Sequence, residues 1–269
     1  MQNDSKPGAL PDLNYRPNSP PFVELVESIE AQNVLAVDAD HGDEIDRLRL
    51  CMNGLYAMAA QFAWLFNAPH IAIQNQAAPL LFSTLHKNLI ALHTSLKLTR
   101  LGLYGPARSM LRHAFEALLI AKFCAISEDA ALFSKWKEGG IVYLTNGVLK
   151  KIQSPNTEAF TDFWGLLSGY AHATIYAQQV HLNVRETPNE VPLNLAYLRI
   201  LVDCQHHLLG SHLITPSMQY YSKRYRRGAD PLPTIRAEMR QFLRESRSTL
   251  LELPRTIVKN YRATWKLIP

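Results

Sequence analysis

Hydrophobic residues recur along this chain at steps of three and four, which is the period of an α-helix. The clearest run lies within Gly105–Ala125, where the apolar positions are Leu111, Phe115, Leu118, Leu119 and Phe123. Gly105 and Pro106 interrupt the preceding pattern, and proline is well tolerated in the first turn of a new helix. We therefore predict a helix over this stretch, with the remaining elements arranged around it.

The same period predicts helices on both sides of this central one, and no alternating strand pattern competes with it. Further helices are expected from Phe22 to about Glu30, from about Glu44 to Pro69, from about Pro79 to Tyr104, from about Thr157, and from Leu193 to about Thr215. The short break at Gly102–Gly105 should fold two of them into an antiparallel hairpin. The predicted fold is an all-α antiparallel helical bundle.

Breaks in the pattern indicate how the chain is divided. Residues 1–21 are polar and proline-rich, which predicts an extended N-terminal arm before a bundle over 22–230. Pro231 and Pro233 mark a linker to extra C-terminal helices over 231–269. The segment Asp38–Glu44 holds four carboxylates, and we expect an acidic loop before a helix start, because it lacks the spacing of a calcium-binding loop.

Composition narrows the class of protein. Of 269 residues, 47% are apolar and 19% are charged, as in a globular domain. A net charge of +5 and a pI of about 9.1 suit RNA or other acidic partners without selecting one. The cysteines at 51, 124 and 204 form no Cys-x-x-Cys pair, which indicates reduced thiols. With no signal-peptide or membrane-span pattern, we expect a cytoplasmic protein.

Charged side chains are concentrated on the central helix. Arg108, Arg112 and Glu116 step by four and so share one stripe that borders the apolar face. This arrangement is either a solvated Arg112–Glu116 pair or a partly buried polar centre, in which Glu116 orients Arg112 for a ligand or for another helix. Downstream, Ser168 and His172 lie four residues apart on one helical face. We expect these two helices to meet in a single charged pocket.

Two other groups of residues are weaker candidates. Asp203 and His207 have the spacing of metal ligands on a helix, but no second helix repeats it, so we expect no metal and no cofactor. A basic run with neighbouring tyrosines is either a solvated surface or a nucleic-acid contact. Its cations are Lys223, Arg224, Arg226 and Arg227.

The spacing Arg-x-x-x-x-His from Arg108 to His113 resembles the ribonuclease motif of HEPN domains, with Ser109 where that family often has asparagine. The resemblance implies an antiparallel helical bundle of the kind found in prokaryotic toxins and antiviral systems. It further implies metal-independent RNA cleavage by Arg108 and His113, a homodimer that brings two motifs together, and a partner protein from a defence or toxin–antitoxin operon.

A second resemblance covers roughly residues 80–180. The strings GLYGPARSMLRHAFEALL and FWGLLSGYAHAT are similar to a family of uncharacterised bacterial helical domains that carry an Arg-x-x-x-Glu helix and a Leu-Ser-x-x-x-His helix. This resemblance implies that Arg112, Glu116, Ser168 and His172 form the site.

Three hypotheses about function follow from the sequence. The chain is a HEPN-like ribonuclease or toxin component, a non-catalytic helical module that binds a nucleotide or another anion, or a scaffold whose polar residues fix the register of its helices. They differ in whether Arg112 and His172 converge in an accessible cleft.

Overall fold

A computed structural model of the chain describes residues 21–67, 78–127, 134–136, 138–140, 148, 157–171 and 189–209. No strand occurs in these ranges, so the predicted all-α class is confirmed for them. The helices of at least fifteen residues are α1 (Phe22–Asn67), α2 (Ala78–Leu101), α3 (Tyr104–Ser127), α4 (Thr157–Ala171) and α5 (Glu190–Leu208). The predicted arm, apart from Pro21, and the C-terminal extension lie outside the described residues.

Helices α2 and α3 form the predicted antiparallel hairpin. Gly102 ends α2 with a positive φ of 85°, and its N–H donates to the carbonyl of Thr99 at 3.1 Å. This left-handed conformation is the usual end of a helix, and glycine adopts it without steric cost. Pro106 follows in the first turn of α3, as predicted. The turn at Gly102 therefore determines the antiparallel orientation of α2 and α3.

Helices α1 to α4 lie next to one another in a layer, and α5 packs across one face of this layer. Helix α2 packs between α1 and α3, while α4 packs on α3. Helix α5 contacts α1, α2 and α3, and so covers one face of this layer. The core between them is fully buried at Leu48, Leu92, Leu111, Leu195 and Leu198. The opposite face of α2 carries exposed residues such as Ile90, which is 58% exposed.

The prediction of an acidic loop at Asp38–Glu44 was wrong, because this segment lies inside the 46-residue helix α1. Val37 and Ile45 are both buried, so the buried face of the helix continues through the segment. Two of its four carboxylates also have partners on other helices. Asp38 pairs with Arg100 of α2, and Glu44 pairs with Arg199 of α5.

Helix α5 also differs from the prediction at its start. It begins at Glu190 rather than Leu193, so Pro192 lies in its first turn instead of in a loop. A proline there removes no intrahelical hydrogen bond, because the first N–H groups of a helix have no partner within it. The extra turn carries Glu190 toward α3.

Burial governs the chemistry of Cys51. Its side chain is 1% exposed, and burial raises the pKa of the thiol to about 11. Cys51 is therefore a protonated, weakly reactive thiol at neutral pH. Neither Cys51 nor the half-buried Cys204 forms a disulfide. None of the described helices combines the length and the apolarity that a bilayer-spanning segment needs.

Gly42→Ala should stabilise the protein. Gly42 lies within α1, and a Cβ built there would meet no heavy atom within 4 Å. Replacing glycine by alanine in a helix interior then raises the free energy of unfolding by about 1 kcal/mol. Gly102→Ala is the matched control, and we expect it to lower stability by about 1 kcal/mol because its φ is positive. Urea unfolding followed by circular dichroism measures both, and destabilisation by Gly42→Ala would contradict a continuous α1.

The Asp38–Arg100 pair should make stability depend on pH. The Nε of Arg100 donates to Oδ1 of Asp38 at 2.7 Å, and this hydrogen bond holds the pKa of Asp38 below its usual value. A carboxyl whose pKa is lowered on folding stabilises the protein above its unfolded pKa of about 3.9, and that stabilisation is lost as the pH falls through the lowered pKa.

We therefore expect Asp38→Asn to reduce stability at pH 7 and to flatten the decline in stability below about pH 4. Asp46→Asn is the control, because its pair with Arg49 is a surface contact with the Asp46 side chain 75% exposed. The measurement is urea unfolding from pH 2.5 to 7. Equal pH profiles for Asp38→Asn and the wild type would show that the pair contributes nothing.

Candidate functional site

Arg108 lies in the interior of the protein. Its side chain is 0% exposed and forms an ion pair with Glu190, the first residue of α5. Its Nε donates to Oδ1 of Asn194 at 2.6 Å, and its guanidinium carbon lies 5.9 Å from the centroid of the Tyr197 ring. These three partners occupy one side of α5, so Arg108 joins α3 to that helix.

The polar contacts of Arg108 continue into α2. Nδ2 of Asn194 donates to Oγ1 of Thr99 at 3.2 Å, and Thr99 donates to the carbonyl of Ser95 at 2.9 Å. The hydroxyl of Ser95 donates in turn to the carbonyl of Ala107 on α3, at 3.0 Å. A buried charge is tolerated when it is paired and hydrogen-bonded, and this network provides both conditions.

Arg112 lies one turn beyond Arg108 and faces a different helix. Its Nε donates to Oε1 of Glu116 at 3.0 Å, and the indole N–H of Trp164 on α4 donates to the same oxygen at 2.8 Å. The guanidinium carbon of Arg112 lies 5.7 Å from the centroid of the Trp164 ring. The side chains of Arg112 and Glu116 are 22% and 28% exposed. The pair is therefore partly buried, as in the second of the two interpretations of the sequence, and not fully solvated.

The histidine of the Arg-x-x-x-x-His spacing lies on another side of α3. His113 is exposed, whereas Arg108 is completely buried. Five residue steps of about 100° place the two side chains roughly 140° apart around a helix. In the described structure Arg108 therefore does not share a solvent-accessible site with His113, while the neighbouring Arg112 does reach the surface.

Ser168 lies on α4 one turn after Trp164. Helices α3 and α4 run antiparallel, because Phe160 contacts Lys122 near the end of α3 and Trp164 contacts Arg112 nearer its start. Ser168 therefore lies toward the Arg112 end of the contact between α3 and α4. It is 8% exposed, and its Oγ has no hydrogen-bond partner among the described residues. A buried hydroxyl without a partner is uncommon in a folded protein.

The structure thus brings together Arg112, Glu116 and the helix of Ser168. His172, Lys223, Arg224, Arg226 and Arg227 lie outside the described residues, so their predicted roles stay predictions. Sequence reasoning missed three residues that hold the site, namely Trp164, Glu190 and Asn194. Their one sequence signal is helical spacing, because Glu190 and Asn194 lie four apart and Trp164 lies four before Ser168. This spacing places each pair on one face of a helix but does not indicate which residues of α3 they contact.

A second polar region is a cleft of about 460 Å³ along α1, lined by residues 38–44 together with Arg47 and Arg199. Its charges include both members of the Glu44–Arg199 pair. Within the described ranges, no three His, Cys, Asp or Glu side chains are grouped so that they could hold a metal ion. The cleft therefore adds no metal centre to the α3 site.

No family model matches this chain, and neither curated proteins nor solved structures give a significant similarity. Its function is therefore inferred from its own residues.

Arg108→Met and Arg112→Met should separate a structural arginine from a surface one. Arg108→Met leaves Asn194 buried without its donor and Glu190 without its cation, and should cost about 3 kcal/mol of unfolding free energy. Arg112→Met removes a partly exposed pair within one helix, and should cost less than about 1 kcal/mol. Urea unfolding of both variants tests this. Equal losses would show that Arg108 does not hold the helices together.

Proposed function

We propose that this chain is a HEPN-like helical protein that binds a phosphate group of RNA or of a nucleotide at the α3–α4 edge. The α3–α4 edge consists of Arg112, His113, Glu116, Trp164 and Ser168. The antiparallel hairpin of α2 and α3 supports the HEPN-like assignment at the level of the fold, whereas the spacing from Arg108 to His113 does not, because Arg108 is buried.

The observation that carries the binding proposal is the fixed geometry of Arg112. Glu116 accepts from its Nε, Trp164 lies against its guanidinium, and the side chain still reaches solvent. A guanidinium whose plane is fixed in advance loses little entropy on binding a phosphate, and its planar fork suits phosphate oxygens. The N–H of Trp164 also donates to Glu116, which reduces the repulsion between that carboxylate and an anion.

Ser168 supports the same proposal from the other helix. Its buried hydroxyl has no partner among the described residues, although Trp164 on the same stripe contacts both Arg112 and Glu116. A hydroxyl can donate to a phosphate oxygen, and such a contact would satisfy the group. A guanidinium from α3 and a hydroxyl from α4 are then both donors at the contact between these two helices.

A second candidate function is metal-independent ribonuclease activity, and the exposure of His113 beside Arg112 favours it. Cleavage of RNA through its 2′-hydroxyl needs a base and a cation for the phosphate, which a histidine and an arginine can supply. Since Arg108 is buried, Arg112 takes the cation role in this proposal. A homodimer, a toxin or antiviral role and a partner from the same operon belong to this second candidate.

We expect Arg112→Gln to weaken binding of a short single-stranded RNA about tenfold, because hydrogen bonds between charged groups contribute roughly 1.5–3 kcal/mol. Fluorescence anisotropy in EDTA measures binding, and gel analysis of the same samples measures cleavage. Arg49→Gln removes an exposed cation of α1 and is the matched control.

The outcomes separate the hypotheses. Cleavage by the wild type that is lost in His113→Asn supports the ribonuclease, and binding without cleavage supports the module. If neither the RNA nor millimolar nucleotides bind or raise the melting temperature, the phosphate-binding proposal fails, and the scaffold is the hypothesis that is left.

A further inference from the structure

Charge is distributed unevenly among the helices. Helix α2 carries Lys87, Lys97 and Arg100 and no carboxylate over its 24 residues, and α3 carries one carboxylate, Glu116. Helix α1, on the other side of α2, carries eight carboxylates and two arginines. Helix α4 carries Glu158 and Asp162 and no lysine or arginine. Cations therefore predominate on the two central helices of the layer, and carboxylates on the helices at its edges.

The outer face of α2 presents part of this positive charge to solvent. We define the α2 stripe as His86, Lys87, Ile90, His93 and Lys97, all of which are exposed and lie at helical spacing. Among the described helices, α5 packs on the other side of the layer. At 1.5 Å per residue the stripe is about 16 Å long, which matches roughly five phosphates of one stacked strand at 3.4 Å each.

Aromatic rings lie at one end of the α2 stripe. The ring of His86 lies 6.2 Å from that of Tyr56 on α1 and 6.3 Å from that of Phe82, measured between centroids. Tyr56 is 58% exposed, so part of this group faces solvent. Proteins that hold single-stranded nucleic acid combine cations along the backbone with rings on which bases stack.

The stripe does not suit other acidic partners equally well. Ile90 is its one apolar residue, and an interface with a protein is normally built around a buried apolar or aromatic centre. Insertion into an acidic membrane likewise needs a wide apolar face. A strand of nucleic acid needs neither, because its charge is regularly spaced and its bases stack on single rings.

We propose that the α2 stripe binds the backbone of single-stranded RNA, with Tyr56 and His86 as the platform for its bases. The identification of the ligand as RNA rests on the proposed function, but the α2 stripe is a different surface from the α3–α4 edge. His113 is exposed on α3, and the carbonyl of the next residue, Ala114, accepts from Asn88 of α2 at 3.1 Å.

The experiment uses a fluorescent 12-nucleotide uridine RNA, with anisotropy measured between 50 and 200 mM KCl. The double variant Lys87→Gln/Lys97→Gln should bind about tenfold more weakly, and its slope of log K against log salt should fall by about 1.4, which is about 0.7 per phosphate contact. Tyr56→Ala should also weaken binding about tenfold but leave that slope unchanged, because stacking releases no ions. Arg47→Gln/Arg49→Gln is the charge-matched control on α1, and we expect it to stay within twofold of the wild type.

The results also separate this inference from the phosphate site. If the α2 double variant binds normally while Arg112→Gln does not, the stripe is overturned and the α3–α4 edge stands. If the α2 double variant loses binding while Arg112→Gln does not, the α3–α4 edge is overturned and the α2 stripe stands. If the wild type fails to bind at 50 mM KCl, or if polyglutamate competes as well as RNA, single-stranded RNA is not the partner of the stripe.

Discussion

The ion pair between the buried Arg108 and the part-buried Glu190 is the constraint that fixes α3 against α5. A guanidinium at 0% exposure is stable only while its partners stay in place, so α3 and α5 have a single favourable register. Asn194 extends the constraint to α2 through Thr99. Three helices are thus fixed by directional bonds, whereas apolar packing alone would tolerate small slides.

This arrangement assigns different tasks to two arginines one turn apart. Arg108 is directed into the protein toward α5, which leaves Arg112 at the boundary with α4 and His113 in solvent. The rigid helix beneath them supports a functional group well, because a side chain on a fixed backbone needs few further contacts to be oriented. Trp164 provides such a contact from α4.

Much of this fold could be predicted from the sequence, because apolar spacing and Gly-Pro breaks determine helices locally. The turn at Gly102 and the start of α4 at Thr157 are examples. The acidic segment of α1 could not be predicted in the same way, since Asp38 and Glu44 depend on Arg100 and Arg199, which are distant in sequence. Local composition indicates a loop there, and tertiary pairing makes it a helix.

The candidate site was predictable in part for the same reason. The spacing of Arg112 and Glu116 indicates their pair, and it is present. Spacing alone did not indicate that Arg108 would be buried, because an arginine is rarely found fully inside a protein. Its burial depends on Asn194 and Glu190, which lie more than 80 residues away and meet it only after folding.

The separation of carboxylates on α1 from cations on α2 and α3 has a consequence before any contact is made. Such a distribution gives the layer an electric dipole that lies across its helices. A polyanion that approaches is repelled from α1 and attracted to α2 and α3, so the field rotates the molecule toward an encounter with these two helices. Association would then be fast in dilute buffer and slow at high ionic strength, because mobile ions shorten the reach of that field.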